Sequence, residues 1–161
     1  TVYEYYNYKN VNLYGFNVSV SIKPLNNLLF NSVYTFTDGK SNSEDILEGI
    51  SAHSINFKLR YTIFKDLNIL FSSKFNSSKT VDTSLEDEDN LRNVLELPGY
   101  TISDISISKG LKNGSDIKIG VKNIFDYFDK NNAIDLEDFL STYEARRHFF
   151  ISINMKFSKG L

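Results

Sequence analysis

Ser54-Ile55-Asn56-Phe57-Lys58-Leu59-Arg60-Tyr61-Thr62-Ile63 alternates polar and apolar residues without a break. In a strand, successive side chains point to opposite faces. Ile55, Phe57, Leu59, Tyr61 and Ile63 would therefore share one side, and Ser54, Asn56, Lys58, Arg60 and Thr62 the other. A helix would scatter both sets around its circumference. The same period of two places Phe16, Val18, Val20 and Ile22 against Asn17, Ser19, Ser21 and Lys23. Near the C-terminus it places Phe149, Ile151, Ile153, Met155 and Phe157 against Phe150, Ser152, Asn154 and Lys156. Worked outward from these stretches, the pattern predicts an all-β chain with strands at about 8–23, 28–37, 53–64, 67–75, 100–110, 116–125 and 146–157. The fifth is irregular: Ile102 falls in the register of Asp104, Ser106 and Ser108, and Ser103 in that of Ile105 and Ile107.

The connections are as informative as the strands. Pro24-Leu25-Asn26-Asn27, Lys65-Asp66 and Leu111-Lys112-Asn113-Gly114-Ser115 are short and rich in turn-forming residues. Between them lie long polar stretches at 38–52, 76–99 and 126–145. Strict alternation of short and long connections is the habit of outer-membrane barrels, with short periplasmic turns on one rim and long extracellular loops on the other. Soluble sandwiches and lipocalin-type barrels have no reason to show it. Several strands reach the ~9–11 tilted residues needed to cross a bilayer. The lipid-facing registers read as free of charge, where Lys or Arg at the midplane would cost about 2–4 kcal/mol. Tyr8, Tyr14, Tyr34, Phe36, Tyr61, Phe64, Phe75, Tyr100 and Phe125 fall near strand ends, as in interfacial girdles. The expected architecture is an antiparallel up-and-down transmembrane β-barrel in nearest-neighbour order, with about seven strands present as a partial barrel wall. Phe57, Leu59, Ile119, Val121, Ile151 and Ile153 should face lipid, and Arg60, Lys118 and Asn154 the lumen.

Composition excludes several other classes. A net charge of -2 lacks the basic surplus of a nucleic-acid binder, so no nucleic-acid partner is expected. The absence of cysteine removes disulfides, zinc clusters and thiol nucleophiles. The 2 histidines, His53 and His148, are too few for most histidine-based metal sites. No run approaches the ~18 apolar residues of a membrane-spanning helix. Thr1-Val2-Tyr3-Glu4 lacks the basic start and apolar run of a signal peptide. No glycine-rich phosphate loop and no legible serine–histidine–acid set occurs, so neither enzymatic activity, a metal nor a cofactor is expected.

The water-facing registers carry Lys23, Lys58, Arg60, Lys74, Lys118, Lys122 and Lys156, opposed mainly by Asp104. Such a wall suits an anionic solute, although any water-facing interior is charged. The candidate ligand residues are Arg60, Lys58, Lys74, Lys118, Lys122 and His148, the last beside Arg146 and Arg147. Ser84-Leu85-Glu86-Asp87-Glu88-Asp89-Asn90 offers the hard oxygens calcium prefers, but it lacks the glycine and alternate spacing of an EF-hand loop. A solvated charge run is the better reading. Asp126, Asp129, Asp135, Glu137 and Asp138 are equally unspecific.

Gly120-Val121-Lys122-Asn123-Ile124-Phe125-Asp126 resembles the G-V-x-N-L-F-D strand near the C-terminus of TonB-dependent outer-membrane receptors. Tyr8-Lys9-Asn10-Val11 followed by Gly15-Phe16 is similar to that family's Y-x-N and G-hydrophobic-E strand, with Asn17 in place of Glu. Tyr34-Thr35-Phe36-Thr37-Asp38 resembles its Y-T-Y-T-D strand, and Gly49-Ile50-Ser51-Ala52-His53 its G-x-P-x-H strand entry, with Ser51 in place of proline. Arg146-Arg147 and the aromatic Phe157 also fit, while Ser158-Lys159-Gly160-Leu161 extends past the usual terminal aromatic. The resemblance runs from about Tyr3 to Phe157.

It implies that 1–161 is the C-terminal portion of a barrel of about 22 strands, without the plug domain and the earlier strands. It further implies residence in the outer membrane of a Gram-negative bacterium, and TonB-coupled uptake of a scarce nutrient: an iron-siderophore, haem, cobalamin or glycan. Its partners would be outer-membrane lipid, the plug and remaining barrel strands, the TonB complex acting through the plug, and a small-molecule ligand. The lysine-rich wall could then pair with plug carboxylates, His148 could touch a haem or such a carboxylate, and His53 would be structural. Two other classes remain. A small stand-alone outer-membrane barrel acting as adhesin or structural protein needs an eighth strand. An outer-membrane enzyme needs His53 or His148 beside a serine at one rim.

Overall fold

In the computed structural model, residues 11–41, 49–82, 94–127 and 146–157 are described. The expectations placed on Tyr3, Tyr8, Lys9 and Asn10, on the acidic run 84–90, on Asp129, Asp135, Glu137 and Asp138, and on the tail 158–161 lie outside those residues. The described strands are β1 (Val11–Leu25), β2 (Leu28–Ser41), β3 (His53–Phe64), β4 (Leu67–Asn76), β5 (Lys79–Asp82), β6 (Val94–Leu97), β7 (Tyr100–Gly110), β8 (Asp116–Lys122) and β9 (His148–Asn154). Seven of them form one antiparallel sheet in the order β1-β2-β3-β4-β7-β8-β9, the nearest-neighbour order expected of an up-and-down wall.

Two expectations need correction. The connection 76–99 contains an antiparallel hairpin, β5 paired with β6, with Lys79 opposite Leu97 and Asp82 opposite Val94. Strands of 4 residues are too short for period two to stand out. The strand expected to reach 125 stops at Lys122, because Asn123 adopts a φ of 51° that ends the extended backbone.

The chain divides into two compact units. In the first, made of Thr1–Val18, Val33–Ile55 and Phe75–Tyr100, the alternation separates aromatic from polar contacts. The Phe16 ring meets Tyr34 at 5.9 Å edge-on and Phe36 at 5.5 Å. His53 stacks on Tyr34 at 6.1 Å and bonds through Nδ1 to the Tyr34 hydroxyl at 2.8 Å, a structural role. The Tyr14 hydroxyl donates to Asp38. In the opposite register, Thr35 donates to Asn17 at 2.7 Å. Leu97, on β6, is the only buried hydrophobic residue among those described.

The second unit comprises Ser19–Ser32, Asn56–Lys74 and Thr101–Leu161. Phe57 lies between Phe30 at 6.2 Å and Phe71 at 5.5 Å, so aromatics are not confined to strand ends. Polar pairs occupy the other register, Ser21 donating to Asn31 at 2.7 Å and Thr62 to Asn68 at 2.8 Å. The irregular Ser103 is buried and bonds to the Ser73 hydroxyl at 2.9 Å. A hydroxyl in an apolar register is tolerated there because it has a partner.

The apolar rows are not folded into a dry core. Ile119, Ile151 and Ile153 are 49%, 75% and 56% exposed, and Phe57 and Leu59 are half-buried. Leaving rows of this kind in water forfeits about 25 cal/mol for each Å² of apolar surface, whereas lipid does not penalise them. One further correction concerns charge. Lys109 shares the register of Ile105 and Ile107, opposite Ile117. It stands one residue before the strand's end at Gly110, where a long stem can cover apolar surface while its ammonium reaches the rim.

Candidate functional site

The β7–β8 turn fixes which side chains enter the polar face. Gly114 takes a φ of 80° and its N–H donates to the Leu111 carbonyl at 3.0 Å. Leu111 N–H donates to Ser115 O at 2.8 Å, and Ser115 N–H to Asn113 Oδ1 at 3.0 Å. The resulting register sets Ile107 opposite Ile119 and Ile105 opposite Val121. On β9, Lys118 faces Ser152, Gly120 faces Phe150 and Lys122 faces His148.

Gly120 lets an aromatic ring lie against the backbone. A Cβ there would fall 2.6 Å from the Ile105 carbonyl oxygen and 2.7 Å from Phe150 Cε1. The Phe150 ring fills this space. Lys118 Nζ sits 5.7 Å from its centroid, and Lys122 Nζ 5.9 Å. Cations at such distances are drawn to the ring's quadrupole, by about 0.5–1 kcal/mol each at exposed sites. His148, beside Lys122, bonds through Nδ1 to the Arg146 carbonyl at 2.9 Å. Because a carbonyl only accepts, Nδ1 is the donor in this contact.

The structure therefore gathers Lys118 and Lys122 around Phe150, with His148 opposite Lys122. Lys58 and Arg60, on β3, and Lys74, on β4, are exposed but separated from this group by β7. Lys156 lies at the turn, its N–H donating to Ser115 Oγ at 3.0 Å and its stem against Gly114. Asp104 accepts the Asn123 N–H at 2.9 Å and so anchors backbone. Phe150 and Gly120 were not among the sequence candidates. The available signal was an aromatic in the polar register of the last strand.

The segment after β8 is held by side chains. Asn123 is 2% exposed; its Nδ2 donates to the Tyr127 carbonyl at 2.8 Å and its Oδ1 accepts the Tyr127 N–H at 2.9 Å. Asp126, with a φ of 54°, accepts the Arg147 N–H at 2.9 Å and pairs with Arg146 at 3.3 Å. The Arg147 N–H, followed by the charges of Arg146 and Arg147, holds the Asp126 carboxyl below the usual carboxylate range. Among the described residues, no three metal-binding side chains cluster.

An antiparallel sheet with an exposed apolar register on one face and lysines on the other is a wall segment of a transmembrane β-barrel. Residues 1–124 match the family described as TonB dependent receptor-like, beta-barrel, and the chain belongs to that family. The match stops before β9, which joins the wall through its register with β8. No curated protein matches. Among solved structures, the chain resembles the open form of the ferric-catecholate import receptor Fiu from E. coli K12, with a TM-score of 0.54 and 16% identity. The likeness covers 74% of this chain and 17% of that receptor, and at this identity it is one of fold.

Proposed function

We propose that this chain is the C-terminal part of the barrel of an outer-membrane receptor that takes up a scarce anionic nutrient with TonB-coupled energy. The carrying observation is the grouping of Lys118 and Lys122 about the Phe150 ring in the water-facing register. Two ammonium groups flanking an aromatic face suit a solute that carries negative charge and planar rings. That chemistry favours an iron-siderophore or haem over cobalamin or a glycan. Lys58, Arg60 and Lys74 extend the cationic wall and pair with plug carboxylates or water.

The test is a Lys118→Glu, Lys122→Glu double variant of the full-length receptor, followed by heat-modifiable gel mobility and by uptake of ferric siderophores and haem. Uptake should fall by about tenfold or more, the weight of one lost charged contact, with mobility unchanged. Unchanged uptake in an assembled barrel overturns the assignment. Replacing 83–93 by a short turn should also weaken binding while sparing assembly. That deletion keeps β5 and β6 intact.

A further inference from the structure

The residue beside the lysine pair is tied down from behind. His148 opens β9 and stands opposite Lys122, and directly paired residues of an antiparallel sheet keep their Cβ atoms about 4.5–5.5 Å apart. Lys122 Nζ in turn lies 5.9 Å from the Phe150 centroid. The His148 ring is bound through Nδ1 to the Arg146 carbonyl at 2.9 Å. That carbonyl belongs to a segment latched twice to Asp126, by the Arg147 N–H at 2.9 Å and the Arg146 guanidinium at 3.3 Å. Asp126 is itself placed by a closed loop. Its N–H donates to the Asn123 carbonyl at 2.9 Å, and the buried Asn123 amide holds both the N–H and the carbonyl of Tyr127.

We infer that His148 is a third, pH-dependent cation of the Lys118–Phe150–Lys122 site, tightening its hold on an anionic solute as pH falls. Histidine is the side chain whose charge ordinarily changes between about pH 5 and 8, an interval in which lysine stays charged. Nδ1 already donates, so a proton taken up at Nε2 creates the cation without turning the ring. Among the described residues, the charged groups about the ring are Lys122 on β8, Asp104 on β7, Asp126 after β8, and Arg146 and Arg147 on its own segment. Asp104 is engaged with the Asn123 N–H. The Asp126 carboxyl is held below the usual carboxylate range, so the latch persists as the ring is charged. Lys122 disfavours the added proton and a bound anion favours it. By linkage, the anion binds the protonated form more tightly. The inference rests on the anionic-nutrient reading, since it concerns the same lysines.

The test uses the full-length receptor in detergent and pyrenetetrasulfonate, a planar polyanion that stays ionised throughout. Binding is read by fluorescence anisotropy, and assembly of each variant by heat-modifiable gel mobility. The unaltered receptor should bind the probe about threefold more tightly at about pH 5.5 than at about pH 8. His148→Gln should bind it with no difference between the two. His148→Lys, which carries its charge permanently, should bind as tightly at the higher pH as at the lower. Equal binding at both pH values by the unaltered receptor, or a difference that survives in His148→Gln or His148→Lys, overturns the inference and leaves the lysine site standing. Absence of probe binding at either pH would overturn the lysine site as well.

Discussion

The two faces of β8 obey different rules. On one, Ile117, Ile119 and Val121 stand in rows with Ile153, Ile151 and Phe149, and any of them could be exchanged for another apolar residue. On the other, Lys118, Gly120 and Lys122 hold one ring in one place. The solvent supports the first face, because lipid tolerates any aliphatic side chain; particular neighbours support the second. Chemistry that discriminates one solute from another is therefore to be sought where substitution is least free.

The comparison is broken most severely at Gly120. Gly120→Val would push the Phe150 ring aside and drive a side chain into the Ile105 carbonyl oxygen, which is backbone and cannot yield without disturbing the strand pairing. The expected outcome is loss of the heat-modifiable folded band. Next comes a charge on the apolar face. Ile119→Arg should destabilise the assembled barrel by about 2–4 kcal/mol in denaturant titrations, whereas Asn154→Arg on the polar face, beside Asp116, should change it by less than about 0.5 kcal/mol. Equal costs would mean that the two faces meet the same solvent.

A smaller effect is expected at the Ser73–Ser103 pair. Ser103→Ala leaves one buried hydroxyl unpaired and should cost about 1–3 kcal/mol, and adding Ser73→Ala should recover part of that loss. A double variant worse than the sum of the singles would show that the pair does something beyond satisfying itself. The smallest effect concerns pH. The Asp126 carboxyl is depressed in the folded state, so its contribution is present above its unfolded pKa and fades as pH falls through the folded value. Thermal stability of Asp126→Asn should approach that of the unaltered protein at low pH and fall below it at neutral pH.

Much of this was legible in the residues. Ile55 to Ile63 could only be a two-faced strand, and the alternation of short and long connections set the sheet order. β5 and β6 escaped because 4 residues give too little alternation to detect beside the acidic run at 84–90. Lys109 escaped because the sequence does not show that a strand's last residues lie at a rim, where charge is cheap. Of the six ligand candidates, the register brought Lys118, Lys122 and His148 together. Lys58, Arg60 and Lys74 share their polarity but not their place, since β7 intervenes. Phe150 was invisible as a site residue because its meaning depends on the glycine opposite it, a cross-strand relation that no local pattern contains.

The Asp126 contact with the Arg147 backbone joins residues 21 positions apart. Whatever the intervening chain does, the start of β9 is set by this carboxylate and by the pairing of Lys122 with His148. Closing a longer loop costs only about 0.6 kcal/mol for each doubling of its length. The connection between the latched ends can therefore be lengthened, shortened or rewritten without moving the register of the last strand. A barrel wall built this way can take a new connection at its rim while the strands beneath are inherited unaltered.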